Sequence, residues 1–239
     1  MGRLRQNIIP FSPPPPWGGR VGPSIKMQAL LSTTYFGPIQ WYQKLCSYGS
    51  VMIERHESFM KQTYRNRCII AATNGLQTLT VPVVREGTYI RDIRISDHAN
   101  WRHQHWHALM SAYSESPFFE YYADDIRPFF ERRWTYLYDF NMDICLKMCE
   151  LLDIRPDIRH TEDYVKPAAV AMLNESDGTG GGSLVDFRDA INPKHPHHDP
   201  GFSPRRYYQV YERKHGFQPN LSILDLLFNM GPEGIFYIK

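Results

Sequence analysis

The residues best equipped for chemistry fall into three groups. The first is the stretch 59–67, FMKQTYRNR, set between the apolar runs 51–53 and 68–72. A turn between buried strands asks for Gly, Pro, Asn or Asp. This one supplies Lys61, Tyr64, Arg65, Asn66 and Arg67 instead, all donors suited to an anion or a sugar. Arginine offers a planar fork, and lysine a point charge, toward phosphate or carboxylate. Lys61, Asn66 and Arg67 are therefore expected to hold the anionic part of a substrate. The competing reading is a solvated linker whose charges face water.

The second group runs from Tyr35 to Lys44. Gly37 and Pro38 break the chain between a strand signal at 29–34 and helical spacing at Ile39, Tyr42 and Leu45. In open α/β sheets, ligands bind beyond the carboxyl ends of strands, where helix N-termini present free N–H groups. Tyr35 is expected to line such a pocket, with Gln40 near it and Lys44 binding substrate. An ordinary βα turn explains the same residues. The turn lacks the two histidines of nucleotidyl-transferring α/β enzymes, and there is no Gly-rich phosphate loop, so adenylyl transfer is disfavoured.

The third group is WRHQHWH at 101–107. On a helix His103, His105 and His107 point about 200° apart from one to the next and cannot converge on one ion. His103 and His107 form an i, i+4 pair, but nothing requires a metal, and neither metal nor cofactor is expected. His105 is expected to act as a general base, with Tyr113 eight residues on as a substrate-binding neighbour. A buried, hydrogen-bonded histidine is the alternative. The histidines of 195–199 read as solvated. No Gly-x-Ser-x-Gly is present, and no cysteine has an evident histidine partner, so nucleophilic hydrolysis is not supported.

The elements that must position these groups follow from periodicity. Strand 29–34, helix 39–48 and strand 50–54 read as a βαβ unit. Asn74-Gly75, between the runs 67–73 and 77–83, signals a hairpin, with Pro82 closing it. Residues 89–95 alternate as a half-exposed strand does. Beyond Asp97 the spacing turns helical: Trp101 to Ala112 capped by Asp97 or Asn100, a second helix with Pro117 at its first position, and a third over 137–152. Residues 174–206 are rich in Gly, Pro and His and read as a flexible loop. Helices at 207–215 and from Ser222, a good N-cap, close the chain. The fold expected is α/β, a small mixed β-sheet built on an N-terminal βαβ unit plus hairpin, followed by a helical C-terminal half. It forms one domain over 27–239, and residues 1–26, broken by Pro13 to Pro16, read as a disordered head or an upstream mis-start.

A hydrophobic share of 42% over 239 residues is enough for a sizeable core. The net charge of +2 gives no general pull toward nucleic acid or anionic membrane. No run approaches the ~20 apolar residues of a membrane span. Cys46, Cys68, Cys145 and Cys149 offer no paired zinc spacing and read as thiols in a reducing, cytoplasmic protein.

Residues 35–41 (YFGPIQW), 59–67 and 101–105 (WRHQH) together resemble the WbqC-like family. Phe59, Lys61, Asn66 and Arg67 fall where that pattern places a Phe-x-Lys and an Asn-Arg, and His105, Tyr113 and Pro117 match later pieces. The family is associated with bacterial surface-polysaccharide (O-antigen, lipopolysaccharide) gene clusters. The resemblance implies a transferase acting on an activated or amino sugar, with an activated sugar or acyl donor as small-molecule substrate. The alternative is a non-catalytic binding or assembly protein of the same pathway, with a pathway protein as partner.

Overall fold

A computed structural model describes residues 27–84, 87–170, 183–194 and 196–239. The expectations for the head 1–26, for the Gly-rich run 177–182 and for His195 fall outside the described residues.

The βαβ unit is present as β1 (Gln28–Ser32), α1 (Ile39–Ser47) and β2 (Ser50–Glu54). The strands are parallel, in register from Gln28 against Ser50 to Ser32 against Glu54. Ala29, Leu30, Leu31, Val51 and Ile53 have no exposure. Near-continuous apolar strands of this kind belong to parallel sheets covered on both faces. At the β1–α1 turn a Cβ on Gly37 would lie 2.3 Å from Thr34 Oγ1, so the turn closes only around glycine. Trp41 of α1 then donates its indole N–H to the Ser32 carbonyl at 2.9 Å.

Two later strands complete the sheet, with β7 (Ile158–His160) beside β2 and β8 (Leu184–Asp186) beside β1, both parallel. The order is β7-β2-β1-β8. β8 lies inside the stretch expected to be a flexible loop, which corrects that expectation. Three residues cannot show a period, and the open edge of β1 supplies the pairing. β3 (Arg67–Ala72) and β4 (Gly75–Thr80) form the antiparallel hairpin beside this sheet, with Ala72 opposite Gly75. Gly75 takes the left-handed backbone that the two-residue loop requires, at φ 111°. Residues 89–95 are not one strand. A 3-10 turn over Ile90–Asp92 precedes a short β6 (Arg94–Ile95), which pairs with β5 (Val83–Val84). The turn lets Ile90, Ile93 and Ile95 all reach the core.

Helices dominate the rest: α2 (Trp101–Tyr113), α3 (Phe119–Ile126), α4 (Pro128–Glu131) and α5 (Leu137–Leu151). Asn100 precedes α2 in a left-handed conformation and makes no capping bond. Asp97 is taken instead by Arg102, at 2.6 Å. Pro117 stands just outside α3, which begins at Phe119, and within 207–215 only Glu212–His215 is helical. The closing helix Ile223–Met230 starts as expected, with Ser222 Oγ accepting the Leu224 N–H. Its apolar run, Leu221, Leu224, Leu227 and Phe228, is spent on the core. No helix among the described residues is long and apolar enough to cross a membrane. The architecture is α/β, and the carboxyl ends of its parallel strands are where a site would form.

Candidate functional site

The chain lays β2 and then β7 to one side of β1 and returns to place β8 on the other. Such a reversal leaves a crevice beyond the strand carboxyl ends, the usual ligand position in open parallel sheets. A cavity of about 470 Å³ is lined there by residues that follow three of the strands. His56, Glu57, Ser58 and Met60 come after β2, Tyr164 and Pro167 after β7, and Arg188 and Asp189 after β8, joined by Arg65 and Tyr89.

Beneath the lining, the ends of β1, β2 and β8 are tied to ionic pairs. Ser32, the last residue of β1, donates to Glu57 Oε2 at 3.0 Å and accepts from Arg65 Nη2 at 2.8 Å. Arg65 Nε reaches Glu57 Oε1 at 2.7 Å. Glu54, at the end of β2 and wholly buried, accepts four hydrogen bonds. They come from the backbone N–H of His56 (2.9 Å) and Val165 (2.9 Å), the Thr161 hydroxyl (2.7 Å) and Arg188 Nη1 (3.2 Å). A buried carboxylate is tolerated only when its lone pairs are filled in this way. Arg188 also contacts Asp186 of β8 at 2.6 Å and lies 5.2 Å from the Tyr164 ring. His56 Nδ1 meets Arg91 Nη1 at 2.9 Å. Arginine can only donate, so Nδ1 accepts, and the neutral ring carries its proton on Nε2. The far wall is stitched by Phe59 N–H to Thr88 O and Ile90 N–H to Glu57 O, both 2.9 Å, which set Tyr89 over the opening.

The seven residues expected from sequence lie elsewhere; none lines this cavity. Tyr35 and His105 are brought together, with the Tyr35 hydroxyl 2.9 Å from His105 Nδ1. Burial holds the His105 pKa down at about 4, against a weaker raising effect of its bond to the Thr80 carbonyl. Burial also pushes the Tyr35 phenol well above its ordinary range, so Tyr35 is the donor of the pair. Tyr113 donates to Asp225 Oδ1 at 2.9 Å, and Tyr207 fills the other oxygen at 2.6 Å. Burial lifts Asp225 to about 6 despite those bonds. Lys44 Nζ sits 2.6 Å from Asp199, with Gln40 adding a 2.8 Å bond to the same carboxylate, and this pins the loop at 199–202 onto α1. Asn66 clasps the end of β4 through the Val81 carbonyl at 2.9 Å. Arg67 opens β3, and Lys61 is exposed.

Of the donor-rich stretch 59–67, Met60 and Arg65 line the cavity. Glu57, His56 and Tyr164 escaped sequence reasoning, although ERHE at 54–57, a charge run directly after a buried strand, was a usable signal. Arg188 carried no such signal, because β8 itself was illegible. His103 and His107 lie side by side on the surface of α2, their rings tilted by 45° with centroids 4.0 Å apart. Among the described residues no group of three or more His, Cys, Asp or Glu is arranged to hold a metal.

The chain is 29% identical over 232 residues to the uncharacterized protein Rv1507c of Mycobacterium tuberculosis, covering 90% of this chain and 98% of that one. No solved structure matches it. The model of the WbqC-like protein family matches residues 33–237, a span that holds every residue of the cavity named above. The chain belongs to the WbqC-like protein family.

Proposed function

We propose that the cavity is the substrate site of an enzyme of bacterial surface-polysaccharide (O-antigen) synthesis, a cytoplasmic transferase acting on an activated or amino sugar. The observation that carries this reading is position. A cluster of buried, hydrogen-bonded polar side chains beside a cavity stands at the strand-order reversal of a parallel sheet, where the fold concentrates ligand sites. Family membership supports the pathway through the association its members have with polysaccharide loci.

Transfer to a hydroxyl or amine requires that the acceptor lose a proton. Asp189 is a lining carboxylate with no arginine partner among the described residues, and in this reading it takes that proton. A positioned base contributes ~10²–10⁴-fold. His105 is then a structural residue, its ring nitrogens committed to Tyr35 and Thr80. The assembly-protein alternative keeps the absence of a complete catalytic signature as its motive, but the closing apolar run no longer supports it, since Leu221, Leu224, Leu227 and Phe228 are buried in the core.

Calorimetry of a nucleotide-sugar panel on wild type and Tyr164→Ala tests the site. One member should bind wild type and bind roughly tenfold more weakly once the aromatic wall is removed. Asp189→Asn should keep the affinity and lose about a hundredfold in turnover. Equal affinities for wild type and Tyr164→Ala would remove the cavity from consideration.

A further inference from the structure

We infer that the cavity grips the ring of its sugar through a vicinal diol, and that any phosphate of the same substrate stays outside. The inference rests on the cavity being the substrate site.

Charge balance is the first argument. Arg65 is paired with Glu57, Arg188 with Glu54 and Asp186, and Arg91 with Asp92. Each guanidinium at the cavity therefore already faces a carboxylate. Asp189 adds a negative charge at the lip with no ion-pair partner among the described residues. A phosphate entering here would lose its hydration and meet Glu57 and Asp189 without an unpaired arginine or lysine among the described lining residues to compensate. A neutral ligand meets no such penalty.

The hydrogen-bond inventory is the second argument. Arg65 spends Nε and Nη2 on Glu57 and Ser32, while its Nη1 bonds to no described residue. Among the described residues Glu57 receives three hydrogen bonds, against about four lone-pair sites. The pair thus leaves Arg65 Nη1 and about one Glu57 lone-pair site without a partner among the described residues. A vicinal diol answers both, one hydroxyl accepting from Arg65 and its neighbour donating to Glu57. His56 Nε2–H, held outward by the Arg91 bond at Nδ1, supplies a further donor. Arg65 and Glu57 are themselves 3% and 5% exposed, so both are held in place before any ligand arrives.

The third argument is the wall. Tyr89 and Tyr164 are each 45% exposed although large and aromatic, and both line the cavity. The C–H face of a pyranose packs on such a ring, while its hydroxyls point to the polar floor.

The test is an NMR titration with neutral methyl pyranosides and with inorganic pyrophosphate, on wild type, Tyr164→Ala and Arg65→Gln. One glycoside should bind wild type, and weaken roughly tenfold in Tyr164→Ala and again on replacing either hydroxyl of the diol by hydrogen. Its affinity should change less than about twofold between ~50 and ~500 mM salt, because no net charge is recognised. Pyrophosphate should not displace it. Tyr164→Ala stands outside the buried ion pairs, so a failure of Arg65→Gln to fold leaves the test intact. If no glycoside binds, or pyrophosphate binds in a steeply salt-dependent way that Arg65→Gln abolishes, the inference is overturned while the cavity remains a site. A glycoside whose binding ignores both Tyr164→Ala and Arg65→Gln would overturn the cavity reading as well.

Discussion

His105 and Asp225 are buried groups whose protonation acts on stability in opposite directions. The folded pKa of His105, about 4, lies below its ordinary 6.5, so the unfolded chain binds more protons between those values. Its contribution is complete above the ordinary value and is lost as pH falls toward about 4. The folded pKa of Asp225, about 6, lies above its ordinary 3.8, so its contribution is complete below that value and is lost as pH rises through about 6. The two partly cancel over one window. Asp225→Asn should therefore make thermal stability climb more steeply with pH between about 4 and about 6 than in wild type. His105→Gln should flatten or reverse the climb. Parallel melting-temperature curves for the three proteins would contradict both assignments. The same burial separates the residues that the sequence singled out from the cavity proposed here as the site. Tyr35, Lys44, His105 and Tyr113 have the chemistry of binding residues, but each has its polar group directed at a partner within the fold, and Asn66 does so through Nδ2 while its buried Oδ1 has no partner among the described residues. Donor type was visible in sequence; the direction of each side chain was not.

Among the elements, those long enough to show a period were legible: β1, α1, β2, the hairpin, α2, α5 and the closing helix with its Ser222 cap. β7 and β8 were not, because each is three residues long and takes its register from a neighbouring strand. The β1–α1 turn is the element on which the cavity floor depends, since it follows Ser32 directly. Gly37→Ala would drive a methyl group into the Thr34 side chain, whose Oγ1 stands 2.3 Å from the new carbon. Overpacking of that kind costs about 1–3 kcal/mol. Urea unfolding should show a lower midpoint with an unchanged slope, and an unchanged midpoint would mean that the turn relaxes freely. The loop at 199–202, a turn closed by the Phe202 N–H on the Asp199 carbonyl at 3.1 Å, is anchored to α1 by a buried pair. Lys44→Ala leaves Asp199 charged and unpaired beneath it, for a loss of about 3–5 kcal/mol. Asp199→Asn, which keeps the Gln40 contact, should lose less. A loss in Lys44→Ala no larger than that of a surface lysine would show that the loop is not anchored there.

Over the whole molecule, the parallel sheet gathers residues far apart in sequence. Glu54 alone joins the segments at 56, 161–165 and 188 through four hydrogen bonds. The α/β class could be read from the chain, and the expectation of a site beyond the strand carboxyl ends follows from the same first βαβ unit. The identity of the lining could not, since four of its ten residues arrive from segments after β7 and β8. The central claim is that substrate binds at these strand ends, and hydrogen–deuterium exchange tests it most directly. The protein would be compared alone and saturated with the nucleotide-sugar that calorimetry selects. Protection should appear together at 56–60, 88–91, 163–167 and 187–190, with 101–113 unchanged. Protection confined to 101–113 and 127–133, around His103 and His107, with the strand ends unaffected, would contradict the account.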